Sequence, residues 1–257
     1  MALTKVIGNG LGGTNDLTVD TTTLTVDATN DLVGIKTATP SDMYYNELVV
    51  NSGDEGGITI LDTSSGQSAL AFADGTSGDA RYRGRILYDH STDSLSIGTA
   101  GEQYWTMNSA HIITTPKQPA FLAKPSGDQS NIAEDSDVVV ALATEIFDQN
   151  ADFASNAFTA PVTGRYQISY NLRMSHLQTG ANYYFIKLVT SNRTIISAYD
   201  PIAFDVNDLP YWTFTLSLLV DMDANDTCQL KVNQQGGGSA VSDIIAQDTY
   251  LSGYLVA

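Results

Sequence analysis

The chain has 257 residues, of which 16% are charged, and a formal net charge of −17. Acids outnumber bases throughout, fourteen to five before residue 116 and fifteen to seven from there on, so no basic face exists to neutralise phosphates and nucleic acid is excluded as a partner. The one cysteine, Cys228, allows no internal disulfide, no run approaches the ~20 apolar residues of a membrane span, and the opening MALTKV has no apolar signal-type run, so neither export signal nor membrane insertion is expected. Thr, Ser, Asn, Gly and Tyr are plentiful, and no apolar run keeps helical spacing for three turns. The expected fold class is all-β.

In chain order, the glycine cluster Gly8–Gly13 precedes no helix and reads as a flexible anchor, not a phosphate cradle. Leu17-Thr-Val-Asp20 recurs as Leu24-Thr-Val-Asp27, and Asp31-Leu-Val-Gly-Ile35 follows. Each is a short β-prone unit ended by an Asp, Asn or Gly turn. None buries much alone, so each needs stacked neighbours or identical chains beside it. Residues 16–41 resemble a segment of tail-fibre and related virion proteins of tailed bacteriophages. Val33-Gly34-Ile35 and Thr39-Pro40 keep that pattern, and Lys36 stands where it usually has glycine.

Between residues 58 and 88, ITIL, SALAF and RGRILY read as strands separated by SSG and GTSG turns. Residues 84–109 resemble a Gly-x-Ile-x-Tyr-Asp module of the same phage proteins, one that often precedes a distal domain. Thr114 to Pro119 form a Pro-rich hinge. The expected domains are therefore 1–42, a virion-anchoring extended segment with short β repeats; 43–115, a β-rich shaft or adaptor; and 116–257, a head.

The head offers eight strand candidates: PAFLAKP, DVVVALATEIF, AFTAPVTGRYQISYNLRM, YYFIKLV, RTIISAY, PYWTFTLSLLV, TCQLKV and DTYLSGYLVA. That number suits one jelly-roll sandwich. Tyr166, Ile168, Tyr170 and Leu172 alternate with Arg165, Gln167, Ser169 and Asn171, the period of a half-buried strand. Trp212, Phe214, Leu216, Leu218 and Val220 form a second apolar face, each worth about 1.5–3 kcal/mol when fully buried. Cys228 alternates with Leu230 and Val232 and points into a core as a small hydrophobe. In Tyr183-Tyr-Phe-Ile-Lys-Leu-Val189 both faces are apolar, so this strand must touch something beyond its own core.

The Ala160-Pro-x-x-Gly-x-Tyr166 strand and the later Tyr250-Leu-Ser-Gly-Tyr-Leu strand resemble the heads of the complement component 1q and tumour necrosis factor superfamily. Phe158, Gly164, Tyr166, Tyr170, Gly253 and Leu255 fall on that pattern, and Ile168 stands where an aromatic is usual. The resemblance covers residues 119–257, including SLLVDMDANDTCQLKV as paired strands with Asn225-Asp226 at the turn. It implies a homotrimeric jelly roll that binds and does no chemistry. It also implies that Tyr183, Tyr184, Phe185, Ile186 and Leu188 lie at the threefold interface; the alternative for Tyr183 and Tyr184 is contact with a receptor.

Among chemical candidates, Asp221 to Asp226 resembles the opening of a calcium loop, but Asp226 and Val232 stand where an EF-hand needs glycine and glutamate. Asp148, Asn150 and Asp152 share the spacing and the same objection, so both read as turns in which Asp and Asn serve their own backbone. His90, His111 and His176 sit near no zinc-type spacing, and no Gly-x-Ser-x-Gly elbow marks a nucleophile. No catalytic residue, metal or cofactor is expected, and the protein is not expected to be an enzyme. Together the resemblances imply a trimeric fibre on the surface of a bacteriophage virion, of tail-fibre or head-fibre type. Its expected partners are its own copies, another virion protein through the N-terminal segment, and a host cell-surface glycan or protein recognised during attachment. The alternatives are a head-fibre or decoration protein that stabilises the capsid or tail without receptor binding, and a bacterial surface adhesin.

Overall fold

A computed structural model describes residues 17–19, 23–27, 29–53, 56–203, 209–237 and 242–257, with backbone only at 17–19 and 209. Among them, secondary structure is strand apart from three short 3-10 turns. The glycine cluster at 8–13 lies outside the described residues. The chain divides into two compact units, residues 1–69 with 89–91 and residues 70–88 with 92–257.

The first unit holds β1 (Leu17–Val19), β2 (Leu24–Asp27), β3 (Leu32–Ile35) and β4 (Leu48–Val50), neighbours in that order in one sheet. The first three form an antiparallel meander, and β4 joins β3 in parallel. The two Leu-Thr-Val units pair with each other, Leu17 opposite Val26 and Val19 opposite Leu24. The neighbour each short strand needs thus comes from the same chain. Asp27 closes the β2–β3 turn by accepting from the amides of Thr29 and Asn30. Lys36, where the fibre pattern has glycine, takes a left-handed φ of 56°, the conformation that glycine adopts without strain. The ITIL run at 58–61 is not a strand, and Ile58 and Leu61 stand exposed.

Next come β5 (Gln67–Phe72), β6 (Gly84–Asp89), β7 (Ser94–Thr99), β8 (Glu102–Met107) and β9 (Ile113–Thr114), a sheet in sequence order. The head follows with β10 (Ala120–Lys124), β11 (Val138–Val139), β12 (Thr144–Asp148), β13 (Phe153–Ala154), β14 (Ala157–Thr159) and β15 (Gly164–Leu177). It continues through β16 (Tyr183–Thr190), β17 (Thr194–Tyr199), β18 (Leu209–Met222), β19 (Thr227–Gln235), β20 (Asp243–Ile244) and β21 (Tyr250–Leu255). One sheet runs β12-β10-β21-β15-β18 with β20 on β15, and the other runs β13-β14-β19-β16-β17 with β11 on β19. Two antiparallel sheets joined by connections most of which cross from one sheet to the other make a jelly-roll sandwich. The fold class is therefore the expected one, an all-β chain with a jelly-roll head.

Several expected strands are divided. DVVVALATEIF supplies β11 to one sheet and β12 to the other, with Val140 and Leu142 buried in the crossing. The run from Phe158 splits at Pro161, whose missing N–H interrupts a ladder. The strands on either side of Asp223 to Asp226 are not a hairpin: β18 and β19 lie in different sheets, so the turn crosses the sandwich. Asn225 holds a φ of 75° there, a conformation that Asn tolerates better than most residues. Gly236 and Gly237 also take positive φ just after β19, whose successor β20 lies in the other sheet.

The core fills from both inner faces. Tyr166, Ile168, Tyr170 and Leu172 of β15 are buried, as are Phe214 and Val220 of β18, with Leu216 and Leu218 partly so. Trp212 keeps the expected face, opposite buried Met174, but near the strand's end it is 36% exposed. Gly253 is required by close approach, since a Cβ there falls 2.5 Å from Ile168 Cδ1 and 2.9 Å from Phe121 Cε1. At one end of the head, Leu255 donates its amide to Pro119 O at 3.1 Å, close to where the chain enters. Strand directions put the described parts of the β15–β16, β17–β18 and β19–β21 connections at the opposite end, the apex.

Candidate binding surfaces

The five residues expected between chains divide by strand parity. Tyr184, Ile186 and Leu188 are each 0% exposed inside the sandwich of a single chain. The strand is apolar on both faces as expected, but these three spend their surface on the chain's own core and have none to offer a second copy. Tyr183 and Phe185 face outward, stacked at 5.6 Å between ring centroids and 20° between planes. Lys187, next on that face, bonds the Asp137 carboxylate, which also accepts from Asn233 Nδ2 at 2.9 Å. The Lys187 bond is the main cause holding the Asp137 carboxyl below its usual value.

The opposite sheet carries a surface that sequence reasoning missed. Register places Phe147 beside Leu122, then Ser252, Ser169 and Ser217 across five strands. The next row reads Ala120, Tyr254, Gln167 and Leu219, and a third reads Tyr250, Asn171 and Thr215. Cross-strand partners share a face, and this one points away from the core, with Phe147, Leu219, Tyr250 and Tyr254 all exposed. At its centre Gln167 Nε2 donates to Ser217 Oγ at 2.8 Å, and Ser169 meets the same hydroxyl at 2.8 Å. None of the three rows carries a charge, in a chain of net −17. The available signal was Tyr250 and Tyr254 alternating with buried Leu251 and Gly253, which marks an aromatic outer face on a strand already filled inside.

The acidic turns serve the fold. Asp226 Oδ2 accepts from Asn192 Nδ2 at 2.7 Å and from the Asp223 amide at 2.8 Å, while Asp221 pairs Arg193 at 2.7 Å. Asp148 accepts from the amides of Asp152 and Phe153. Burial, followed by the neighbouring charge of Asp148, raises the Asp152 carboxyl above its usual value. Among the described residues no three of His, Cys, Asp and Glu are grouped to hold a metal ion. His176 Nδ1 meets both Ser175 Oγ and Asp243 Oδ2 at 3.2 Å. A hydrolytic relay needs the hydroxyl on the other ring nitrogen. Cys228 is buried, and burial pushes its thiol up to about 12.

No family model matches the chain, and no curated protein matches it. Among solved structures it is similar to the globular domain of zebrafish complement 1qA, at 16% identity and a TM-score of 0.40, covering 55% of this chain and 98% of that one. It is similar to murine APRIL at 12% identity and a TM-score of 0.39, covering 55% and 100%. It is also similar to the PRD1 vertex protein P5 at 14% identity and a TM-score of 0.38, covering 55% and 98%.

Proposed function

We propose that the chain is a virion structural protein whose jelly-roll heads assemble as a homotrimer and are displayed to bind a host surface. The carrying observation is the uncharged middle of the outer face of β10, β21, β15 and β18, three rows bordered on the same outward parity by Lys124, Arg165, Arg173 and Asp221. On a chain of net −17, an uncharged patch lets identical copies meet without setting like charges face to face. Exposed Phe147, Leu219 and Tyr254 around a flat serine-rich centre give that face apolar area to bury. The threefold order follows the resemblance to complement and tumour necrosis factor heads. The virion setting follows the Val33-Gly34-Ile35 and Gly84-x-Ile86-x-Tyr88-Asp89 modules upstream. Three heads sum weak contacts into useful avidity.

Size-exclusion chromatography with light scattering tests the assembly: a mass three times that of one chain is expected at micromolar concentration, and a stable monomer overturns it. Gold labelling of intact phage particles with an antibody to the head tests the location. Label at fibre tips is expected, and unlabelled particles overturn the virion reading.

A further inference from the structure

The display reading leaves open what the head recognises, and one corner of the apex bears on it. The β15–β16 connection, the start of β16, the end of β19 and the short turn after β17 enclose a concavity of about 490 Å³, within the usual range of small-ligand sites. Tyr183 is 43% exposed at its edge, and Thr179, Asn182, Asp200 and Gln235 line it, with Ile202 as an exposed apolar wall. The walls are held by backbone. Asn182 donates its amide to Gln235 O at 2.7 Å, Tyr183 pairs Gln235 in the ladder, and Ile202 donates to Asp200 Oδ1 at 3.1 Å. Phe185 stacked on Tyr183 sets the orientation of the tyrosine ring.

We infer that this apical concavity binds a neutral saccharide, one pyranose ring packing its C–H face on Tyr183 while hydroxyls bond Asn182, Gln235 and Asp200. An aromatic face beside short planar amide and carboxylate side chains matches a ligand that is apolar on one face and ringed by hydroxyls, and buries the former without stranding the latter. Charge decides between classes of glycan. No Lys or Arg lines the concavity, and Lys187, on the same face, is bonded to Asp137. A sialylated, phosphorylated or sulfated sugar therefore meets Asp200 and a chain of net −17 with no cation to receive it. This assignment rests on the display reading, and it lies on the opposite sheet from the face given to self-association.

Saturation-transfer NMR on the full chain tests it, with the methyl glycosides of glucose, galactose and mannose and of N-acetylglucosamine as probes, and glucose 6-phosphate and a sialoside as charged counterparts. Transfer to the ring C–H protons of at least one neutral glycoside is expected, with none to the charged pair. Tyr183→Ala is expected to abolish it while the chain stays folded by circular dichroism, losing only the surface stack on Phe185. Gln235→Ala is expected to weaken it roughly five- to tenfold, the scale of one neutral hydrogen bond. Transfer to no neutral probe, transfer that survives Tyr183→Ala, or a preference for the charged sugars overturns the inference. Light scattering on the same samples separates the two readings: a trimer that binds no neutral sugar loses this site and keeps the display role, whereas a monomer loses the display role.

Discussion

Phe121 and Phe158 stack across the head, ring centroids 4.6 Å apart and planes 15° from parallel, one from each sheet. Phe153, the cross-strand partner of Phe158, also stacks on Phe121 at 5.1 Å, and Tyr166 meets Phe158 edge-on at 5.3 Å. All four side chains are buried, so this column fastens the two sheets at the end where the chain enters. Phe158→Ala opens a cavity in its middle and is expected to destabilise the head by about 3–5 kcal/mol. Urea denaturation followed by near-UV circular dichroism reads this directly, and a loss under ~1 kcal/mol contradicts the role given to the column.

Asp152 makes the head's stability depend on pH in a way opposite to most carboxylates. Its folded-state pKa is raised, chiefly by burial and then by Asp148, while the unfolded value is about 3.9. Between the two, the folded chain binds more protons, so this group's contribution to stability falls as pH climbs through that window. Above the window the whole cost is present. Asp152→Asn is therefore expected to raise the denaturation midpoint at pH 7, by an amount that shrinks as pH falls through that window and is gone below it. An unchanged midpoint at pH 7 speaks against it.

Cys228 is expected to be inert in the folded protein. Burial holds the thiol near 12 and closes off its approach, and the thiolate is the reactive form. Iodoacetamide at pH 8 should leave native protein unmodified by mass spectrometry and alkylate it fully in denaturant. Rapid labelling of the native chain shows an open core.

Leu219→Asp and Tyr254→Asp each put a negative charge on the outer sheet face, and the side chains replaced are exposed in one chain. Each variant is expected to keep the circular dichroism of the head while its mass by light scattering falls from trimer to monomer. Threefold repetition places three like charges in one interface, where juxtaposition costs several kcal/mol. A trimer unaffected by either change locates the interface elsewhere.

Period-two alternation made the head legible wherever a strand is long and one-faced. The buried set Tyr166, Ile168, Tyr170 and Leu172 appears in the structure as expected. It misled at β16, where apolar residues on both faces were read as one interface, because parity alone does not say which face a sandwich claims first. Tyr184, Ile186 and Leu188 went inward and Tyr183 and Phe185 outward. The face proposed for self-association escaped notice for the converse reason: its members come from β12, β10, β21, β15 and β18, brought together by non-local strand pairings such as Leu122 with Phe147 and Ala120 with Tyr254. The apical concavity likewise combines residues near 180, 200 and 235, a grouping that no local spacing announces.

β21 lies between β10 and β15, hydrogen-bonded on both sides, although every other strand precedes it in sequence. During synthesis the sheet therefore carries an unfilled slot, with two open edges, until residues 250–255 have left the ribosome. Closure of the head and burial of Phe121 against Gly253 wait for β21, and the three uncharged outer rows are completed only when it fills the slot.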